Sequence, residues 1–135
     1  MRILALDYGS ARCGCAVSDA TGVLATPIEP VLRPATRKGF NRVIGLVRER
    51  GVKRVVVGLP VGLSGHDTAQ TQECRDFAER LRGSLGARVP VDLYDERFTT
   101  AIAARSPSSD TAEDSRAAAV LLEDYLARHG HELAG

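Results

Sequence analysis

Residues 52–59 read VKRVVVGL. A β-branched run of this kind lacks the polar–apolar alternation of a half-exposed strand and reads as a strand buried on both faces, the pattern of a parallel sheet. Helical periods flank it. Phe40, Val43, Ile44 and Val47 fall at i, i+3, i+4 and i+7, which predicts an amphipathic helix over about residues 36–50, closed by Gly51. Cys74, Phe77, Ala78, Leu81 and Leu85 mark a second helix, and Val89–Tyr94 a further strand. Parallel neighbours need crossover connections, and those connections are right-handed. The middle of the chain therefore demands an α/β architecture.

The first third adds a different pattern. Arg2–Asp7 is a short apolar run ending in an acid. Arg12–Asp19 and Val23–Ile28 read as two more strands, with Asp19-Ala-Thr-Gly22 as a hairpin turn. Pro27, Pro30 and Pro34 end that region. After the fifth strand, Thr99 or Thr100 caps a short helix, Ser106–Ser109 breaks it, and Asp110–Glu113 forms a capping box for a last helix running to about Arg128. The expected order is β β β α β α β α α. This is a mixed five-stranded sheet, three antiparallel strands followed by two parallel ones, with helices on both faces.

One domain spanning residues 1–135 accommodates this without staples. Hydrophobic residues make up 44% and charged residues 26%, which argues against disorder. No apolar run is long enough to span a membrane, and the start carries Asp7 too early for a signal peptide. Cys13, Cys15 and Cys74 are odd in number and lack CxxC spacing, so they read as small core residues in a reducing cytoplasm.

The formal net charge of +1 hides a strong asymmetry. Arg33, Arg37, Lys38, Arg42, Arg48, Arg50, Lys53 and Arg54 face only Glu49 within their segment. From Asp110 onward, six acids face Arg116 and Arg128. A basic region beside an acidic one suits a polyanion held by the first and a cation held by the second; two solvated helix faces are the ordinary alternative.

Three acids carry the expected chemistry. Asp7 ends the first strand and Glu96 follows the fifth, so both belong to one edge of the sheet, where open α/β sheets place their sites. At about 100° per residue, Asp114 continues the stripe of Ala118, Leu121 and Tyr125. An acid on a buried helix face is costly unless a cation pairs with it. Converging carboxylates repel, and a divalent cation removes that penalty. Oxygen ligands favour Mg²⁺ or Mn²⁺ over zinc, and such ions promote phosphodiester hydrolysis. Each acid also has a structural reading: Asp7 as a turn cap at Gly9, Glu96 as an ion-pair partner of Arg97 or Arg12, Asp114 as a charge favoured at a helix start.

Asp7-Tyr-Gly-Ser-Ala-Arg12-Cys-Gly14, Val57-Gly58-Leu59-Pro60 with Gly65, Asp95-Glu96-Arg97-Phe98-Thr99-Thr100 and Asp114-Ser115 with Ala117-Ala118 stand in the motif order of the YqgF/RuvX family. The chain resembles that family over nearly its whole length. The resemblance implies a ribonuclease-H-like fold and a cytoplasmic nuclease that processes the 5′ end of pre-16S rRNA, with a likeness to Holliday-junction resolvases. It implies Asp7, Glu96 and Asp114 as the catalytic acids. Cys13 and Cys15 replace the family's usual aliphatic residues. Ala104–Glu113 is short and has no lysine where many members carry a longer, lysine-bearing stretch.

Around the acids, Arg12 and Arg97 are placed to grip phosphate oxygens, and Thr99 and Thr100 to present a helix N-terminus to phosphate. Salt bridging and simple capping are their structural alternatives. Tyr8 is placed to stack on a base. His66 falls in the loop after the fourth strand and reads as an exposed loop residue. The expected activity is that of a metal-dependent endonuclease on structured RNA or branched DNA, for which a two-fold homodimer would suit a four-way junction. The competing class is a nucleic-acid-binding factor in ribosome assembly or transcription, without turnover, working through the basic segment. A phosphate loop of an actin-like ATPase is a third reading of Asp7-Tyr-Gly-Ser, and it needs a second such domain.

Overall fold

A computed structural model describes residues 1–59, 69–95 and 111–133, and the side chains of all of these except 111–114 and 130–133. The elements are β1 (Arg2–Asp7), β2 (Arg12–Ser18), β3 (Ala25–Leu32), α1 (Arg37–Glu49), β4 (Val52–Leu59), α2 (Ala69–Leu85), β5 (Val91–Asp95) and α3 (Thr111–Leu133). The strands form one sheet in the order β3-β2-β1-β4-β5. β1 and β2 are antiparallel, as are β2 and β3. β4 pairs parallel with both β1 and β5. The C-terminal ends of β1, β3, β4 and β5 therefore share one edge.

Alternation along the strands divides the core. Leu4, Leu6, Cys13, Cys15, Val55 and Val57 point to the side covered by α1 and α2, where Val43, Phe77 and Leu81 meet them. Ile3, Ala5, Ala16 and Val56 point to the side covered by α3, against Ala118, Leu121 and Leu122. Helices thus cover both faces. The three cysteines are buried, as small core residues should be. No helix among the described residues is long and apolar enough to cross a membrane.

Several boundaries differ from expectation: β2 ends at Ser18, β3 starts only at Ala25, and α3 continues past Arg128 to Leu133. β3 runs to Leu32, through both Pro27 and Pro30. It is an edge strand, where proline's missing N–H costs no ladder hydrogen bond, and its register with β2 shifts between Cys13 and Cys15. β5 begins at Val91, because a 3-10 turn, Gly86–Arg88, precedes it. The hairpin turn stands as read: the Asp19 carboxylate accepts from the Thr21 hydroxyl at 2.7 Å and the Val23 N–H at 2.9 Å. The short helix at Thr99 or Thr100, the Asp110–Glu113 capping box, the loop holding His66 and the Ala104–Glu113 stretch lie outside the described residues or side chains.

Candidate functional site

Asp7 is the last residue of β1 and only 4% exposed. It pairs across the sheet with Gly14 of β2. It has the parity of Ile3 and Ala5, so it belongs to the α3 face. The connection to β2 is tight. A Cβ on Gly9 would fall 2.6 Å from the Arg12 carbonyl oxygen, so this turn excludes any larger residue. Arg12 opens β2, half-buried, opposite Leu32 of β3. The short turn thus brings Asp7 and Arg12 to one edge and, by strand alternation, to one face.

On the other side of β1, Gly58 pairs with Tyr94 and Leu59 with Asp95. Asp95 ends β5 at the same edge as Asp7. Its parity is that of Val91 and Leu93, which pack toward α1 and α2. Asp95 therefore belongs to the opposite face from Asp7. Glu96, Arg97, Thr99 and Thr100 lie outside the described residues. Asp114 lies in the first turns of α3 and its side chain is likewise outside the description. Among the described residues no three His, Cys, Asp or Glu side chains form a group able to hold a metal.

Its neighbour Ser115 is buried, and its hydroxyl donates to the Ile28 carbonyl of β3. Ile28 pairs with Cys15, and Cys15 with Leu6. The start of α3 is thereby pinned at the sheet level one residue short of Asp7.

Further along, α3 is held by a polar network that the sequence reading did not anticipate. The Tyr94 hydroxyl donates to Asp124, and Asp124 also accepts from Arg128 at 3.1 Å. The Tyr125 hydroxyl donates to Asp92 at 2.8 Å, and Arg54 reaches the same carboxylate oxygen at 2.6 Å. Burial, then the neighbouring Asp92, pushes the Tyr125 phenol up to about 12. Tyr94 is raised as well, by burial and by Asp124. Asp124 belongs to this framework. The helical stripe gave a partial signal, since it placed Tyr125 inward; the acids that satisfy the hydroxyls come from other registers.

Tyr8 corrects an expectation. It is 4% exposed, and its ring lies 4.8 Å from that of Phe77, centroid to centroid, inside the α1/α2 core. Strand alternation turns it away from Asp7, so it is not a platform for a base. Burial, with Glu73 nearby, also raises its phenol above the usual tyrosine range.

A family model described as "RuvX: Holliday junction resolvase" matches residues 1–128. A protein of Chloroflexus aurantiacus named "Putative pre-16S rRNA nuclease" is 37% identical over 132 residues, covering 92% of this chain and 85% of its own. A protein of the same name from Mycobacteroides abscessus is 40% identical over 134 residues, covering 93% and 80%. Among solved structures, Thermus thermophilus RuvC bound to a Holliday junction superposes with a TM-score of 0.59 at 18% identity, covering 96% of each chain. The Fowlpox virus resolvase, also with junction DNA, reaches 0.53 at 14% identity, covering 93% and 99%. The chain shares the fold of these two structures.

Proposed function

The chain belongs to the RuvX family, and on that premise we propose that it is a divalent-metal-dependent endonuclease that hydrolyses phosphodiester bonds in structured nucleic acid. Its first expected substrate is the 5′ end of pre-16S rRNA, as the names of its relatives suggest, and its second is a four-way DNA junction. The observation that carries this reading is a nearly buried carboxylate, Asp7, at the edge where parallel strands end, with Arg12 brought beside it by a turn that only glycine permits.

Asp7, Glu96 and Asp114 would hold the metal. An all-carboxylate set is the donor chemistry of Mg²⁺ or Mn²⁺, and Asp7 fits it: a carboxylate this buried is stabilised by a cation more than by solvent. When bound, such an ion activates water and neutralises charge on the phosphodiester. Arg12 and Arg97 orient the phosphate by gripping its non-bridging oxygens. Thr99 and Thr100 offer hydroxyl and backbone N–H donors to the neighbouring phosphate. Ser115 sets where Asp114 begins, through Ile28.

The test is cleavage of pre-16S RNA and of a synthetic four-way junction in Mg²⁺ or Mn²⁺, with EDTA as control. Asp7→Asn should lower the rate by about a hundredfold to a thousandfold, the scale set by loss of one preorganised electrostatic group. Equal rates for variant and parent would end the assignment. Metal removal supplies a second readout: if the acids repel when no ion is present, Asp114→Asn melts higher than the parent in EDTA while losing cleavage.

A further inference from the structure

The basic segment seen in the sequence divides in two in the structure. Arg33, Lys38 and Arg42 line a groove of about 840 Å³ between the end of β3 and the start of α1. All three are exposed, and Glu29 is the one acid among the lining residues. Arg42 does meet Glu49, at 3.8 Å, but both side chains are more than half exposed, a geometry that holds a cation weakly. Arg48 and Arg50 lie at the other end of α1, and Lys53 at the start of β4; by the helix rise Arg50 is about 18 Å from Lys38. Arg54 is engaged inside the framework with Asp92.

The wall of this groove is built with unusual care. Arg33 is the one non-glycine residue with positive φ among the described residues, at 45°. Three hydrogen bonds hold it there. Its N–H donates to the Ala11 carbonyl at 2.9 Å, and its carbonyl accepts from the Thr36 N–H at 3.1 Å and the Thr36 hydroxyl at 2.7 Å. A Cβ on Gly39 would fall 2.1 Å from the Arg33 carbonyl oxygen, so the first turn of α1 is seated backbone to backbone on this strained residue. Strain held by so many contacts marks functional positions. The first turn of α1 carries Arg37 and Lys38 and no acid. That is the reverse of what the helix dipole favours, and an anion at that end would reconcile it.

The groove is also tied to the cleavage edge. Ala11, which receives the Arg33 N–H, belongs to the turn joining Asp7 to Arg12, and Leu32 pairs with Arg12. β3 stands two strands from β1, about 10 Å across the sheet. A nucleic-acid strand held at Asp7 that left the sheet edge on the β3 side would pass the groove.

We propose that this groove holds phosphodiester backbone on one side of the scissile bond, through Arg33, Lys38 and Arg42. The proposal rests on the nuclease reading for its orientation, and the recognised chemistry is the phosphate chain shared by RNA and DNA.

The experiment measures binding of the full chain, without added metal, to a pre-16S 5′ stem and to a four-way DNA junction across a salt series. The variant combines Arg33→Gly, Lys38→Ala and Arg42→Ala. A control combines Arg48→Ala, Arg50→Ala and Lys53→Ala, which removes the same charge from the far end of α1 and the start of β4. The groove variant should bind at least about tenfold more weakly, and the slope of log affinity against log salt should shrink by about two to three, one per lost phosphate contact. Glycine accepts positive φ freely, so the variant should melt no lower than the parent. The RNA and DNA arms show which polymer uses the groove. Parent-like affinity in the groove variant, an equal loss in the control, or no binding of the parent to either probe would overturn the proposal. Cleavage in Mg²⁺ is scored separately. A parent that binds through the groove and cuts neither probe defeats the nuclease reading and leaves the groove standing. A groove variant that binds and cuts like the parent does the reverse.

Discussion

The two faces of the sheet are held in different ways. Under α1 and α2 the contacts are volume against volume: Leu4, Leu6, Val43, Val55, Val57 and Leu81 are fully buried, and the polar contacts there include thiols bonded to carbonyls, such as Cys74 to Gly58 at 3.2 Å. Under α3 large residues, Ile3, Val56, Leu121 and Leu122, are mixed with small ones, Ala5 and Ala16 against Ala117 and Ala118, and the helix is also located by hydroxyls aimed at single acceptors: Ser115 to Ile28, Tyr94 to Asp124, Tyr125 to Asp92. Alanine lets the helix come close but does little to fix its register, whereas directional bonds do. The difference matters because α3 carries Asp114. One face supplies stability, and the other adds placement of the helix that bears Asp114, a proposed metal ligand.

Substitutions can break that division. Leu81→Ala on the α1/α2 side should cost about 2–5 kcal/mol in denaturant unfolding, the usual range for an emptied core leucine. At a temperature where the variant stays folded, cleavage should remain near the parent's. Ala118→Leu on the other side should cost about 1–3 kcal/mol from overpacking. It pushes α3 off the sheet, so cleavage should fall far more than in Leu81→Ala. Comparable activity in the two variants, measured while both are folded, would show that the faces do not divide their work. Ser115→Ala sharpens the comparison. Loss of one hydrogen bond should cost about 1 kcal/mol, yet it frees the turn next to Asp114, so kcat should drop while the melting temperature moves little.

How legible this was in the sequence follows the same division. Volume-driven packing writes itself as hydrophobic runs. β1 and β4 begin and end where Arg2–Asp7 and Val52–Leu59 say, and α1 follows the period of Phe40, Val43, Ile44 and Val47. β3 was legible only in part, because prolines signal a stop unless one knows that the strand is an edge, and edge position is a property of the whole sheet. Tyr8 misled for a related reason: its place beside Asp7 in sequence is opposite to its place in space, since adjacent strand residues face apart. The network under α3 stayed hidden. Asp92, Tyr94, Asp124 and Tyr125 carry no spacing that pairs Asp92 with Tyr125 and Tyr94 with Asp124. Of the site, the edge position of Asp7 and Arg12 was legible from the strand order.

Alkaline pH reports on the α3 network with the least disturbance of the fold. Tyr125 titrates near 12 in the folded chain, above the ordinary phenol value of 10.0, because ionisation would place a buried phenolate against the Asp92 carboxylate. A raised folded pKa stabilises the native state fully below the unfolded pKa, and the benefit is lost as pH rises from about 10 through about 12. Tyr94 and Tyr8 shift in the same direction, so all three tyrosines of the chain contribute. With no tryptophan present, ultraviolet absorbance reads the phenolates alone, and their titration should be displaced to higher pH in the folded protein than in the unfolded chain. Tyr125→Phe removes one hydrogen bond, for a loss of about 1 kcal/mol at neutral pH. It also removes one alkaline liability, so the gap to the parent should narrow as pH climbs past 10. A gap that stays constant to pH 12 would place the Tyr125 hydroxyl in water, and α3 would then be held by packing like the helices of the other face.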